Sequence, residues 1–335
     1  MPDIMVKREY RNVMLRIGWA MLMQTLLINL IYGAWVYFPI EGMSEKAYYV
    51  FCSLYDSAAY LFSFLFPAWF FYKISCKRRI EKPWCEVRMT GSYPLMFLAG
   101  LGAILFFAYI NYYVVEIFEY SKFYDAFVVE EDLSENYKLI LSIISTAMVP
   151  AFCEEFLFRG VVLSNLSPYG NRSAIIISAI LFGLMHQNVG QIIYTIVAGL
   201  FLGYIYVRTH SIWGCVLLHF VNNLYSVITS LLTYRLGETV ASNVLFYIDI
   251  AIIFVGFLAF IAMIIIDVIK KKRLKSASRF LNGSFGVILE SDDNYTEYKV
   301  SVGEKIKAFF TPTIAVFTVI SCAVMGYICY IVSQL

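Results

Sequence analysis

Apolar residues run along this chain in long blocks separated by short polar stretches, at roughly 13–38, 47–72, 93–117, 137–162, 173–187, 190–207, 211–234, 246–269 and 309–333. A hydrocarbon core about 30 Å thick takes about 20 apolar residues at about 1.5 Å per residue, so the pattern predicts membrane-spanning helices. The fold class is therefore all-α, a polytopic transmembrane helical bundle of eight or nine spans. The count turns on 173–187, which is short and is separated from the next block only by Gln187-Asn188-Val189-Gly190-Gln191. That pair reads as a tight hairpin stopping short of the far surface. The first block, Val13 to Phe38, is longer than the apolar region of a signal peptide and lacks a small-residue cleavage site, so it reads as a retained span.

Charge placement orients the bundle. Lys7, Arg8, Arg11 and Arg16 open the first span; Lys73, Lys77, Arg78, Arg79, Lys82 and Arg88 fill the second connection; Lys270, Lys271, Lys272, Arg273, Lys275 and Arg279 follow the eighth span. By the positive-inside rule these lie in the cytoplasm, together with the N-terminus. The connection from Glu116 to Glu135, with Asp125, Glu130, Glu131 and Asp132, is acidic and belongs outside. The chain divides into N-terminal helices over 1–136, a core over 137–234, and C-terminal helices over 235–335 with a polar cytoplasmic loop at 270–308. In that loop Asn282-Gly283-Ser284 and Asp292-Asp293-Asn294 are turn signals, and the run Val287-Ile288-Leu289 suits a small hairpin.

Composition agrees with this picture and narrows it. At 335 residues, 60% hydrophobic and 15% charged, with mean hydropathy +0.71, the chain is too apolar for a soluble domain. The net charge of +2 carries no basic patch suited to nucleic acid. The seven cysteines are scattered without a CxxC pair, against a disulfide framework or a structural zinc site.

Against this background three polar clusters stand out: Glu154-Glu155 with Arg159, Phe182 with His186, and His219 with Asn223. An ionisable side chain at membrane depth costs about 2.5–3.5 kcal/mol on insertion scales, and such residues mark function by default. Pro150 weakens the fourth span one turn before the acids. Glu154 and Glu155 then point about 100° apart. Glu155 and Arg159 stand at i,i+4 and form an ion pair that satisfies both, leaving Glu154 to face a cavity. Phe182 with His186, and His219 with Asn223, repeat the i,i+4 spacing, so helices 4, 5 and 7 each turn one polar face toward a shared pocket. Glu154 and His186 suit water activation, and His219 and Asn223 suit oxyanion stabilisation, which together amount to peptide hydrolysis without a covalent intermediate. No cofactor is needed; the alternative is a zinc ion on Glu154, His186 and His219, against which stand the absence of HExxH and the separate helices.

Other polar positions carry less. Asp56 and Asp249 are lone acids suited to pairing helices, and His210 lies in a helix-end turn. Cys153 adjoins the acids without facing them, and Ser178 and Ser226 have no nucleophile motif around them.

Taken together and in this order, EExxxR at Glu154–Arg159, FxxxH at Phe182–His186 and HxxxN at His219–Asn223 resemble the CAAX-protease and bacteriocin-processing (Abi) family of intramembrane peptidases, over about Ile140 to Leu232. The resemblance implies a glutamate-type endopeptidase in which Glu154 and His186 activate water, His219 and Asn223 stabilise the oxyanion, and Glu155 and Arg159 support them. It implies a peptide or membrane-protein substrate within the lipid bilayer, in bacteriocin processing, self-immunity or signalling. A noncatalytic immunity or scaffold protein is the rival, and a proton-coupled transporter a weaker one. The compact layout suits a bacterial cell-membrane protein. One geometric demand follows: His219 lies about 12 Å and His186 about 20 Å along their spans, yet His186 must come within about 10 Å of Glu154 for one water to serve both.

Overall fold

The computed structural model describes residues 3–38, 40–75, 91–117, 133–188, 190–281 and 298–334, and among these every regular element is helical. Lipid offers no partner for a backbone N–H or C=O, so an apolar chain at this depth satisfies its peptide groups within helices. The helices are α1 (Asp3–Gly33), α2 (Glu45–Ser75) and α3 (Tyr93–Ile117). A composite α4 (Asn136–Tyr169) follows. After it come α5 (Asn171–Met185), α6 (Ile192–Thr209), α7 (Trp213–Leu236) and α8 (Glu238–Leu281). The chain ends in α9 (Val302–Phe309) and α10 (Pro312–Gln334).

Among the described residues seven helices are long and apolar enough to cross a membrane, and eight if α9 and α10, bent by 56°, form one broken span. This is a multi-pass membrane protein. The expected short block is α5, which at 15 residues falls below a full span. The end of α4 returns to the start of α1, where the Tyr10 and Tyr169 rings meet edge-on at 4.9 Å, as four alternating spans require.

Helical structure extends into the 270–308 stretch from both ends. Hydropathy falls at Lys270, but the lysines, arginines and leucines that follow are good helix formers, and α8 continues to Leu281. At the far end Ser301-Val302-Gly303-Glu304 is an S-x-x-E start signal, and Ser301 Oγ accepts from the Glu304 N–H at 3.3 Å to open α9. The Asn282-Gly283-Ser284 and Asp292-Asp293-Asn294 turns, the Val287–Leu289 hairpin, the basic residues from Lys77 to Arg88, and Asp125, Glu130, Glu131 and Asp132 lie outside the described residues.

The lone acids do join helices. Asp56 of α2 lies within electrostatic reach of Tyr32 of α1. Asp249 of α8 accepts from Tyr109 of α3 at 2.7 Å and from Tyr225 of α7. Gly102 and Gly256 let α3 and α8 touch backbone to backbone beside this clamp: a Cβ on Gly102 would sit 2.8 Å from the Gly256 Cα. Asp249→Ala removes the carboxylate that both phenols donate to, and is expected to lower stability by about 1–3 kcal/mol. Thermal unfolding in detergent checks this, with recovery expected when Tyr109→Phe and Tyr225→Phe are added.

Candidate active site

The site is built on a helix that is not uniform. In α4 the segment Val149–Glu155 is α-helical, while Ile143–Met148 before it and Phe156–Leu163 after it are π-helical. Wide turns of this kind free backbone carbonyls and gather at functional sites. Side chains take up the freed groups. Ser178 of α5 donates to the Phe158 carbonyl at 3.3 Å, and Tyr72 of α2 to the Gly160 carbonyl at 2.8 Å. Pro150 has no N–H to offer the Thr146 carbonyl one turn earlier, and Asn223 of α7 donates its Nδ2–H there at 3.3 Å.

Glu154, Glu155 and Arg159 are all buried, Arg159 completely. Arg159 reaches back one turn to Glu155, Nη1 to Oε1 at 2.9 Å, as the i,i+4 spacing requires. Its Nη2 donates to the Gly199 carbonyl of α6 at 3.2 Å, and its guanidinium lies 4.8 Å over the Phe182 ring. Glu155 does more than hold Arg159. Its Oε1 also accepts from His219 Nδ1–H at 2.8 Å, so one carboxylate ties α4 to α7 and fixes that imidazole.

His186 caps the C-terminal end of α5, with its Nδ1–H donating to the Phe182 carbonyl at 2.8 Å. Both imidazoles therefore have Nδ1 committed, and both present Nε2 to Glu154. The His186 Nε2 and the His219 Nε2 each stand 3.9 Å from Glu154 Oε2. That oxygen is buried and, among the described residues, has no hydrogen-bond partner. Phe182 closes the wall, edge-on to His186 at 4.9 Å and to His219 at 5.9 Å.

The depth mismatch disappears for two reasons. From the turn that ends at Asn171, α4 runs back to Glu154 and α5 runs forward to His186 over nearly equal lengths of chain, so the two groups lie level. The α6–α7 turn is sunk into the protein, with Thr209, Ser211 and Ile212 buried, and α7 thus starts well below the surface and brings His219 to the same height. His210 sits in that turn, exposed and with φ 52°.

Comparison with known families bears on the same stretch. Residues 136–225 match the family described as type II CAAX prenyl endopeptidase Rce1-like. This segment is similar to that family. It runs from the start of α4 to the middle of α7 and takes in all seven residues singled out above. The family is the CAAX-protease and bacteriocin-processing family that the motifs resemble, and at that level the match supports an intramembrane CAAX-type protease. Comparison with curated proteins and with solved structures gives no match.

Within the matched segment, Glu154, His186 and His219 converge, with Glu155, Arg159 and Phe182 directly around them. Asn223 lies one turn beyond His219, bonded to Thr146 and accepting from Asn222 at 3.2 Å. Cys153 is buried packing. Outside the segment, α2 contributes Tyr60, within electrostatic reach of Glu154 and stacked on Phe64 at 5.3 Å.

Bonds of about 2.1 Å in a tetrahedron place ligand atoms about 3.4 Å apart, less than the 3.9 Å on either side of Glu154 Oε2. Among the described residues no group of three or more His, Cys, Asp or Glu side chains is disposed to hold a metal ion.

Proposed function

We propose that this protein is an intramembrane endopeptidase of glutamate type, acting on a peptide or a membrane-protein segment with a water activated by Glu154 and His186. The observation that carries the reading is the 3.9 Å separation of two hydrogen-bond acceptors, Glu154 Oε2 and His186 Nε2, with no donor supplied to the buried carboxylate oxygen among the described residues. His186 is an acceptor at Nε2 because its Nδ1 must donate to a carbonyl. A water about 2.8 Å from both subtends roughly 90° at its oxygen, close to what its two O–H bonds reach. One bond then points to each acceptor and a lone pair is turned outward.

In the proposed reaction this oxygen adds to the scissile carbonyl as its proton passes to Glu154. His219, held at Nδ1 by Glu155, donates through Nε2–H as the imidazolium to the oxygen that becomes negative. The Asn223 amide has a second N–H beyond the one given to Thr146, available for the same oxyanion. Collapse expels the amine, which takes the proton from Glu154. The site lies in the cell membrane with the N-terminus on the cytoplasmic side, as the flanking lysines and arginines favour.

Mass spectrometry of membrane peptides from cells carrying wild type or Glu154→Gln tests the reading. Fragments present only with wild type identify the substrate. Identical peptide sets, with a phenotype retained by Glu154→Gln, would favour a noncatalytic scaffold. Loss of purified activity on chelation would reinstate the metal.

A further inference from the structure

Two cavities meet at Lys305, on the face of the bundle where α1 begins. One, of about 410 Å³, carries charged side chains and is lined by Asp3, Lys7, Lys299, Ser301 and Lys305 among others. The second, of about 490 Å³, is an apolar groove between α5 and α9, with Arg172 and Lys305 at one end and Ile176, Ile180, Ile306 and Phe310 along its walls. From Arg172 to Ile180 the groove follows α5 for about 12 Å into the bilayer.

The two chemistries are joined by one side chain. Lys305 Nζ donates to the Tyr169 carbonyl at the end of α4 and to Ser173 Oγ of α5 at 2.9 Å, which leaves the third N–H of its ammonium for a ligand. Arg172 is exposed and, among the described residues, makes no hydrogen bond or ion pair. Counting Lys7 and Lys299 as well, four cations stand against two acids, Asp3, paired with Lys7 at 2.8 Å, and Glu304, within Lys7's electrostatic reach. Helix α9 itself is amphipathic: Val302, Ile306 and Phe310 form an exposed apolar row, and Ala308 packs inward. Such a helix lies along the membrane surface with its apolar face in the acyl region.

We propose that these joined cavities bind one anionic glycerophospholipid, its phosphate held by Lys305 and Lys299 and one acyl chain lying in the α5–α9 groove. The charge excess selects an anionic head, and the apolar walls require a chain. A groove of this volume is in the usual range of small-molecule sites, about 300–1,000 Å³. The assignment stands apart from the reading of Glu154, since no residue is shared between the two.

Thermal unfolding of the full-length protein in detergent, titrated with phosphatidylglycerol, phosphatidylcholine or glycerol 3-phosphate, tests it. Phosphatidylglycerol is expected to raise the unfolding midpoint saturably and with higher affinity than phosphatidylcholine, and glycerol 3-phosphate to leave it unmoved. In Arg172→Glu/Lys299→Glu the affinity for phosphatidylglycerol is expected to fall about thirtyfold, toward that for phosphatidylcholine. Ile176→Trp, filling the groove from an exposed position, is expected to abolish the shift from either lipid. Equal wild-type affinity for the two lipids, a full shift from glycerol 3-phosphate, or unchanged binding in the variants would overturn it. Should the double variant misfold, Ile176→Trp alone decides.

Discussion

Purified Glu154→Gln is expected to unfold at or above the wild-type temperature while cleaving its substrate about 10²–10⁴ times more slowly. The loss is the usual worth of a positioned general base. The retained stability follows from the surroundings of the carboxylate. Among the described residues Oε2 of Glu154 is buried without a hydrogen-bond partner, so an amide of nearly the same shape, able to donate to His186 Nε2, gives up no hydrogen bond at that atom. Melting curves on the purified variant, paired with cleavage of a peptide found by the membrane comparison, read both quantities. Full activity would remove Glu154 from the chemistry, and a marked drop in melting temperature would make it a structural residue.

Arg159→Met is expected to destabilise the bundle by about 3–5 kcal/mol, because it takes the guanidinium away from a fully buried carboxylate and leaves that charge with His219 alone among the described residues. The cost should come mainly from that stranded charge and less from the contacts Arg159 makes with Gly199 and Phe182. Adding Glu155→Gln should therefore recover most of the stability, since the carboxamide oxygen of that variant can still accept from His219 Nδ1–H. A double variant no more stable than Arg159→Met would shift the explanation to the lost cation–π and carbonyl contacts. Denaturant or thermal unfolding of Arg159→Met, Glu155→Gln and the double variant separates the two accounts.

The helices are legible from hydropathy because apolar length maps directly onto bilayer thickness, and the Glu155–Arg159 and Phe182–His186 contacts because i,i+4 spacing is local. The bond from Glu155 to His219 is not. Local pairing already gives Glu155 a partner, although a carboxylate accepts several hydrogen bonds and the second donor lies on a helix 64 residues away. The partnership of Asn223 with the Thr146 carbonyl is half visible, in that Pro150 announces an orphaned acceptor but not its donor. The Gly199 carbonyl carries no side-chain signature at all. Helix α9 is announced by Ser301 and Glu304 and obscured by the polar composition around them.

The π-helical turns on either side of the acids set a constraint on length. Each accommodates one residue more than an ordinary turn, and so fixes the angular phase of Glu154 and Glu155 relative to both ends of α4. Deleting a single residue between Phe156 and Leu163 would return this segment to regular pitch with the two halves of α4 still nearly in phase, whereas inserting one more, with the wide turn already filled, would rotate them by about 100° against each other. With the Tyr169 end anchored on α1, that rotation would swing the carboxylates off the imidazoles, so this helix tolerates substitution far better than lengthening.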